Sequence, residues 1–428
     1  MPKHLTASVG LALHVAFVTS CTDSGAVDPP FEPPPDTTDD FAATCQDGTA
    51  GDYTCDGVNL VSRLNNLEVG ATLGLVNDVW GWTDPLTGTE WALVGHSSGT
   101  SFVNLRDPLN PLYTGILPMS PDASASVWRD IKVYRDHAFI VSDAAGPHGM
   151  QVFDLTQLRS VTSPPQTFLP TTTYSNINSA HNIVINEETG FAYSVGGSGG
   201  GETCGGGLHM INIKVPASPT FEGCFADTST GRGSTGYTHD AMCIVYRGPD
   251  SEHQGREVCF GSNETALSIA DVTDKENPVA VASTAYPSVG YSHQGWIDEA
   301  HEYFYMNDEL DELFGQVSNT RTLVWDVKDL DDPMVVSEYI ASTQASDHNL
   351  YVVGDFMYQS NYTVGLRIVD ISNREDPQEV GFFDTEPTGG DVSGTNGSWS
   401  NYPFFRSGVI PVTSMDGGVM FVMRSGGG

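Results

Sequence analysis

A short apolar segment ending in Asp or Asn recurs along this chain, and its spacing constrains the fold more than any other feature. It reads Met150-Gln-Val-Phe-Asp154, Leu208-His-Met-Ile-Asn212, Leu267-Ser-Ile-Ala-Asp271, Thr322-Leu-Val-Trp-Asp326 and Leu366-Arg-Ile-Val-Asp370. A weaker copy ends at Asn104, and a last one, Val419-Met-Phe-Val-Met423, lies near the C-terminus. Successive copies are 50, 58, 59, 55, 44 and 53 residues apart. Five residues ahead of the column stands Gly99, Gly149, Gly207, Gly365 or Gly418, suited to a tight turn entering a strand. Behind it Pro recurs (Pro111, Pro219, Pro278, Pro333, Pro377) before another β-rich stretch such as 379–383.

Each unit therefore reads as four strands, in the second copy 131–134, 138–142, 150–154 and 166–171. Seven such units of about fifty residues match a β-propeller, whose radial closure disposes of exposed sheet edges. A β-solenoid has shorter repeats. The last unit stops after its third strand, so the segment around 58–67 is expected to supply the missing outer strand and close the ring. Length alone would suggest two or three domains. The repeat instead makes 42–428 a single all-β propeller of seven four-stranded blades.

The residues before it read as an address. Lys3 and His4 precede an apolar run over 5–18, too short to span a membrane and typical of a secretory signal at 1–20. Val18-Thr19-Ser20-Cys21 resembles the bacterial lipobox, which makes Cys21 a lipidation site; ordinary cleavage beside a chance cysteine is the alternative. The Pro/Asp/Thr-rich stretch that follows, to residue 41, cannot pack and reads as a semi-extended linker. That order places the protein outside the cytoplasm, in the bacterial envelope or at the cell surface, touching the membrane through its lipid only. Without Cys21, six cysteines remain. They pair most naturally by proximity as Cys45 with Cys55, Cys204 with Cys224, and Cys243 with Cys259, among fifteen possible connectivities. A zinc site is the alternative, but no C-x-x-C occurs.

The strand cores and their Asp/Pro turns resemble LVIVD repeats. Longer strings are similar to the bacterial choice-of-anchor B family: Asn77-Asp-Val-Trp-Gly-Trp82, Trp128-Arg-Asp-Ile-Lys-Val-Tyr134, Ser142-Asp-Ala-Ala-Gly146 and Ala180-His-Asn-Ile-Val-Ile-Asn186. So are Tyr237-Thr-His-Asp240, Ser292-His-Gln-Gly-Trp296, Asn307-Asp-Glu-Leu-Asp-Glu312 and Trp399-Ser-Asn-Tyr-Pro-Phe-Phe405. The similarity runs from about Cys45 to Arg424. It implies an anchored extracytoplasmic propeller and carries no established reaction with it. The chain shows no C-terminal sorting tail, so the lipid on Cys21 is the expected anchor.

A second column marks the start of each unit's first strand: Asn77, Arg129, His181, His239, His293, His348 and Asn401. In a propeller that strand lines the central channel, so these residues are expected to form a ring at one channel mouth. Loops joining second to third strands open on the same face and carry His96, Asp143, Glu264, Asp308, Glu309 and Asn361. Two readings compete. Polar residues at a blade's inner edge commonly tie neighbouring blades together. Alternatively His181, His239, His293 and His348, helped by Asp240, Glu264 or Asp308, hold a divalent metal ion or a polarised water. Adjacent pairs are better ligands than the whole ring, whose opposite members stand too far apart.

Other signals are weaker. Gly95-His-Ser-Ser-Gly99 and Gly196-Gly-Ser-Gly-Gly200 match G-x-S-x-G, but that elbow needs a strand-to-helix turn and these lie between strands. The Gly-rich 196–207 lacks the Lys-Ser/Thr and the helix of a phosphate loop. Asp308-Glu-Leu-Asp-Glu312 attracts cations but lacks calcium-loop spacing, and reads as a solvated charge run. With 18 Lys+Arg against 54 Asp+Glu, a formal −36, the chain repels phosphate and is no nucleic-acid binder. No complete nucleophile–base–orienter set is visible. The expectation is thus a binding or scaffold module for a protein, glycan or small molecule, acting through its channel face. Trp80, Trp82, Trp128, Tyr237, Trp296 and Tyr402 suit a sugar- or peptide-like ligand there. The rival class is a metal-dependent hydrolase or lyase.

Overall fold

Seven small antiparallel sheets stand in a ring about one axis in a computed structural model, which describes residues 41–72 and 74–426. The inner strands of blades 1 to 7 are Val76–Thr83, Arg129–Tyr134, Asn182–Asn186, Asp240–Val245, Ser292–Ile297, Leu350–Val353 and Ser398–Asn401. Each packs on the next, and the last packs on the first, so the ring is closed. The signal, the Cys21 lipid site and the linker up to residue 40 lie outside the described residues. No helix among the described residues is long and apolar enough to cross a membrane.

The recurring segment is the third strand of each blade, and its composition follows from the stacking. In Leu366–Asp370, Leu366 and Ile368 pack towards blade 7 while Val369 packs towards blade 5. In blade 5, Leu323 and Trp325 face one neighbour and Val324 the other. Both faces of a blade are buried, so apolar residues run through both parities of the strand rather than alternating with polar ones. The terminal Asp or Asn has a different task. In six blades its side chain accepts the backbone N–H two residues on: Arg106 to Asn104, Thr156 to Asp154, Lys214 to Asn212, Thr273 to Asp271, Lys328 to Asp326 and Ser372 to Asp370. That is the turn-forming bond for which these two residues are suited. Ahead of the strand, Gly365 has φ +75 and abuts the Phe383 carbonyl, where a side chain would clash.

Ring closure follows the expected scheme. Val58–Leu64 pairs antiparallel with Gly418–Arg424 and becomes the outer strand of blade 7. The disulfides are the expected three, Cys45 with Cys55, Cys204 with Cys224 and Cys243 with Cys259. Blade 2 departs from expectation. Its outer strand is Thr172–Tyr174, not 166–171. Gln166–Thr167 instead crosses back and pairs in parallel with Leu112–Pro118 of blade 1. The short 3-10 helix Leu155–Ser160, which buries Leu155 and Leu158, turns the chain to get there.

The closing strand carries a large share of stability. Leu60 lies buried with Ile410, Val412 and Val422 in the seam between blades 6 and 7. Leu60→Ala is expected to cost about 2–5 kcal/mol in chemical denaturation. Leu67→Ala, just past the end of that strand and largely exposed, is expected to change stability by less than about 0.5 kcal/mol.

Candidate functional site

At the narrow end of the channel the four histidines of the second column form an unbroken arc. Ring centroids are 4.2 Å apart for His181 and His239, 4.2 Å for His239 and His293, and 4.4 Å for His293 and His348. They come together because each opens the inner strand of a successive blade at the same height. Nδ1 of His239 donates to the His293 carbonyl at 2.8 Å, and Nδ1 of His348 to the Trp399 carbonyl at 2.6 Å. A carbonyl can only accept, so both rings carry their proton on Nδ1 and leave Nε2 bare. His181 sits against Asp143, Nδ1 to Oδ2 at 3.0 Å, and Ser198 holds the other oxygen of that carboxylate. Burial keeps the deeper rings neutral: His348 falls to about 3, and His239 and His293 lie well below the ordinary imidazole value. The arc surrounds a void with room for about one water molecule, also lined by Trp128 and Arg129.

Several of the residues expected beside the arc lie elsewhere. Asp308 does not reach the imidazoles: its oxygens accept from the Tyr286 hydroxyl and the Gly290 and Tyr291 amides, which pins its own loop. Glu264 accepts the Arg232 amide. Asp240 lies a layer deeper, in the channel. Glu309 is the carboxylate brought to the arc, with Oε2 at 3.9 Å from His293 Nε2 and Oε1 accepting from the Tyr362 hydroxyl at 2.6 Å. Asn77 and Asn401 tie blades, through the Val127 carbonyl and the Ser360 hydroxyl. Arg129 turns sideways to the His96 carbonyl and to His148. His96 itself points into its blade, against Ser101.

One residue further along, the inner strands of blades 1, 2 and 4 carry a layer of carboxylates, Asp78, Asp130 and Asp240. Asp78 accepts the Ile131 amide and Asp130 the Ile183 amide, each bond joining one blade to the next. Lys132 is the counter-ion, 2.6 Å from Asp130 and over the Trp80 ring. Burial, with Asp130 nearby, pushes Asp240 up to about 7 and Asp78 well above the carboxylate range.

Beyond that layer the channel widens into a cavity of about 760 Å³. One wall is aromatic: Trp80, Trp296, Tyr351, Tyr402 and Phe404 pack mutually at 5.1–6.1 Å, mostly edge to face. Val133, Ile185, Met242 and Ile244 also line it, with the polar side chains of Lys132, Asp240, Gln294, Glu187 and Arg247. The aromatic residues singled out from the sequence are thus divided. Trp80, Trp82, Trp296 and Tyr402 line this wide end, whereas Trp128 lines the void at the narrow end and Tyr237 lies by Gly196 and Gly206 there.

The Asp308–Glu312 run is not solvated. Asp308, Asp311, Glu312 and Asp347 are all buried, with Arg321 as the cation among them. Sequence reasoning missed this cluster, since a dense acidic run ordinarily faces water. The G-x-S-x-G strings make no elbow: Gly95–Gly99 spans a hairpin, and Ser198–Gly201 is a strand paired with Ile177–Ser179.

The family described as LVIVD repeat matches residues 346–385, which coincide with blade 6. No curated protein matches the chain. Among solved structures, a protein from Lactobacillus plantarum is similar at 12% identity and a TM-score of 0.51, over 80% of this chain and 89% of that one. A functionally unknown protein from Desulfotomaculum acetoxidans is similar at 12% identity, TM-score 0.49, over 74% and 87%. The Cps50 (Swd1) β-propeller domain of Myceliophteria thermophila is similar at 9% identity, TM-score 0.48, over 78% and 93%. At 12% identity the likeness to the Lactobacillus plantarum protein shows the fold alone. The chain is a seven-bladed β-propeller bearing an LVIVD repeat.

Proposed function

We propose that this propeller is an extracytoplasmic binding module of the choice-of-anchor B type, tethered through Cys21, which takes a short glycan at the wide end of its channel. The observation that carries the reading is the aromatic wall of the wide cavity, which polar side chains also line. Sugars offer apolar C–H faces to aromatic rings and hydroxyls to carboxylates, amides and ammonium groups, and the volume lies in the range of small-ligand sites. The formal −36 favours a neutral or amino-bearing ligand over an anionic one. Three disulfides are compatible with an oxidising compartment.

Titration with neutral and amino-sugar oligosaccharides, and with short peptides in parallel, followed by tryptophan fluorescence, tests this. Saturable glycan binding is expected, weakened at least about 10-fold by Trp296→Ala, the loss of one desolvated aromatic anchor. Trp128→Ala, at the opposite end, is expected to leave it unchanged. Binding of peptides alone would move the assignment to a peptide ligand, and binding of neither would end it. Fatty-acid labelling that is absent from Cys21→Ala is the expected result for the anchor.

A further inference from the structure

The narrow end of the channel is a separate matter from the glycan reading. We propose that His293, Glu309 and His348 bind a divalent transition-metal ion, with zinc as the reference ion and a water completing its shell. One ligand atom from each residue lies within 4.8 Å of those of the other two. The side chains come from three separate places: the inner strand of blade 5, the loop after that blade's second strand, and the entry to blade 6. Around a tetrahedral zinc with bonds of about 2.0–2.1 Å the donor atoms stand about 3.3 Å apart. The 3.9 Å between His293 Nε2 and Glu309 Oε2 therefore needs a movement of only about half an ångström.

Behind two of the three ligand atoms the supporting groups are arranged as a metal site requires. His348 donates Nδ1–H to the Trp399 carbonyl, which fixes the tautomer and leaves Nε2 unprotonated as the donor atom. Glu309 receives the Tyr362 hydroxyl on Oε1, leaving Oε2 towards His293. His293 is buried to 2% exposure, and its Nδ1 has no partner at all, although buried polar atoms are ordinarily satisfied. Next to it His239, its own proton committed to the His293 carbonyl, presents a further bare nitrogen. The bare Nε2 atoms of His348 and His239 and the Glu309 Oε2 are lone pairs that a cation relieves. The void holds about one water, the usual fourth ligand where three protein groups bind zinc. Arg129 lines that void with Nη2 unpartnered, a donor available to such a water.

The other clusters of this kind among the described residues fit less well. Cys204 and Cys224 beside Glu202 spend their sulfurs on each other, and Asp250, His253 and Asp331 form an ordinary ion pair at the outer surface.

Protein exported from its native host, stripped with chelator and titrated with Zn²⁺ and separately with Co²⁺, tests the site by calorimetry and visible absorption. One ion per chain is expected, with cobalt bands of a low-coordinate nitrogen–oxygen site. Glu309→Gln and His348→Gln are expected to weaken binding at least about 10-fold, and His253→Ala to leave it unchanged. No saturable binding to the wild type at micromolar metal would overturn the proposal, whether or not the variants fold. Binding unaffected by Glu309→Gln and His348→Gln, or lost in His253→Ala, would overturn it equally.

Discussion

Replacing Arg321 by methionine is expected to cost the fold about 3–5 kcal/mol, because it strands buried negative charge. The guanidinium is 3% exposed and bonds Asp311 through Nε at 2.8 Å and Nη2 at 2.7 Å. It also binds Glu338 and the carbonyls of Pro287 and Ser288. Around it Asp308, Asp311, Glu312 and Asp347 are buried, and neither oxygen of Asp347 has a partner. Burial, with Asp347 and Asp311 adding repulsion, pushes Glu312 up to about 11, and burial with Asp308 pushes Asp311 up to about 6. Asp347 rises well above the carboxylate range for the same reasons. Asp347→Asn is therefore expected to do the opposite of Arg321→Met and raise the denaturation midpoint at pH 8. Guanidinium unfolding of the two single variants and the double variant checks both signs. A loss above about 2 kcal/mol in Asp347→Asn would show that the carboxylate has a partner, such as a bound cation.

The pH profile of stability is expected to peak near 6.5 and to fall steeply below about 4. Buried imidazoles set the acid limb, the arc's His239, His293 and His348 among them. Burial lowers His96 and His148 to about 3 and His209 to about 4. Their folded values lie below the unfolded value of about 6.5, so the stability they contribute is complete above 6.5 and is lost as pH falls towards 3–4. Each costs about 1.4 kcal/mol per pH unit over that range. Asp240 and Asp78 act in the other direction, since their folded values are raised. What they contribute is complete below about 4 and is lost as pH rises, for Asp240 through about 7 and for Asp78 higher still. Asp311, Glu312 and Asp347 act in the same direction as these two, so the carboxylates offset most of the imidazole slope and leave a gentle gradient between pH 4 and 6.5. Below 4 the imidazoles act alone, and above 7 Asp78, Glu312 and Asp347 erode stability. Denaturant titrations from pH 3 to 9 test this; stability that climbs from pH 7 to 9 contradicts it. His209→Gln, which removes a ring bonded to the Tyr174 hydroxyl, is expected to flatten the acid limb.

The ring of blades was legible because every unit repeats the same two physical needs. A third strand buried on both faces must be apolar at both parities, and the turn after it wants an Asp or Asn acceptor. Both needs leave a mark at fixed spacing. The histidine arc was legible for the same reason, as it occupies one strand position in four successive blades. Glu309 was visible as a loop residue but could not be told from Asp308. Which of two neighbouring carboxylates turns inward depends on the amides of Gly290 and Tyr291, which claim Asp308. The wide cavity left no periodic mark, because blades of different length contribute different positions and Phe404 arrives from an irregular segment. Arg321 and Asp347 lie 10 and 36 residues from Asp311. Nothing local in the acidic run announces that they bury it.

The proposed ligand site is the wide end of the channel. A crystal structure with the tightest oligosaccharide from the fluorescence titrations tests that claim most directly. The expected result is a sugar ring stacked on Trp296 or Tyr402, with hydroxyls within reach of Lys132, Asp240 or Glu187. A sugar seated instead on the loops around His181 and Asp143, or on the outer edges of the blades with the aromatic wall empty, would contradict it.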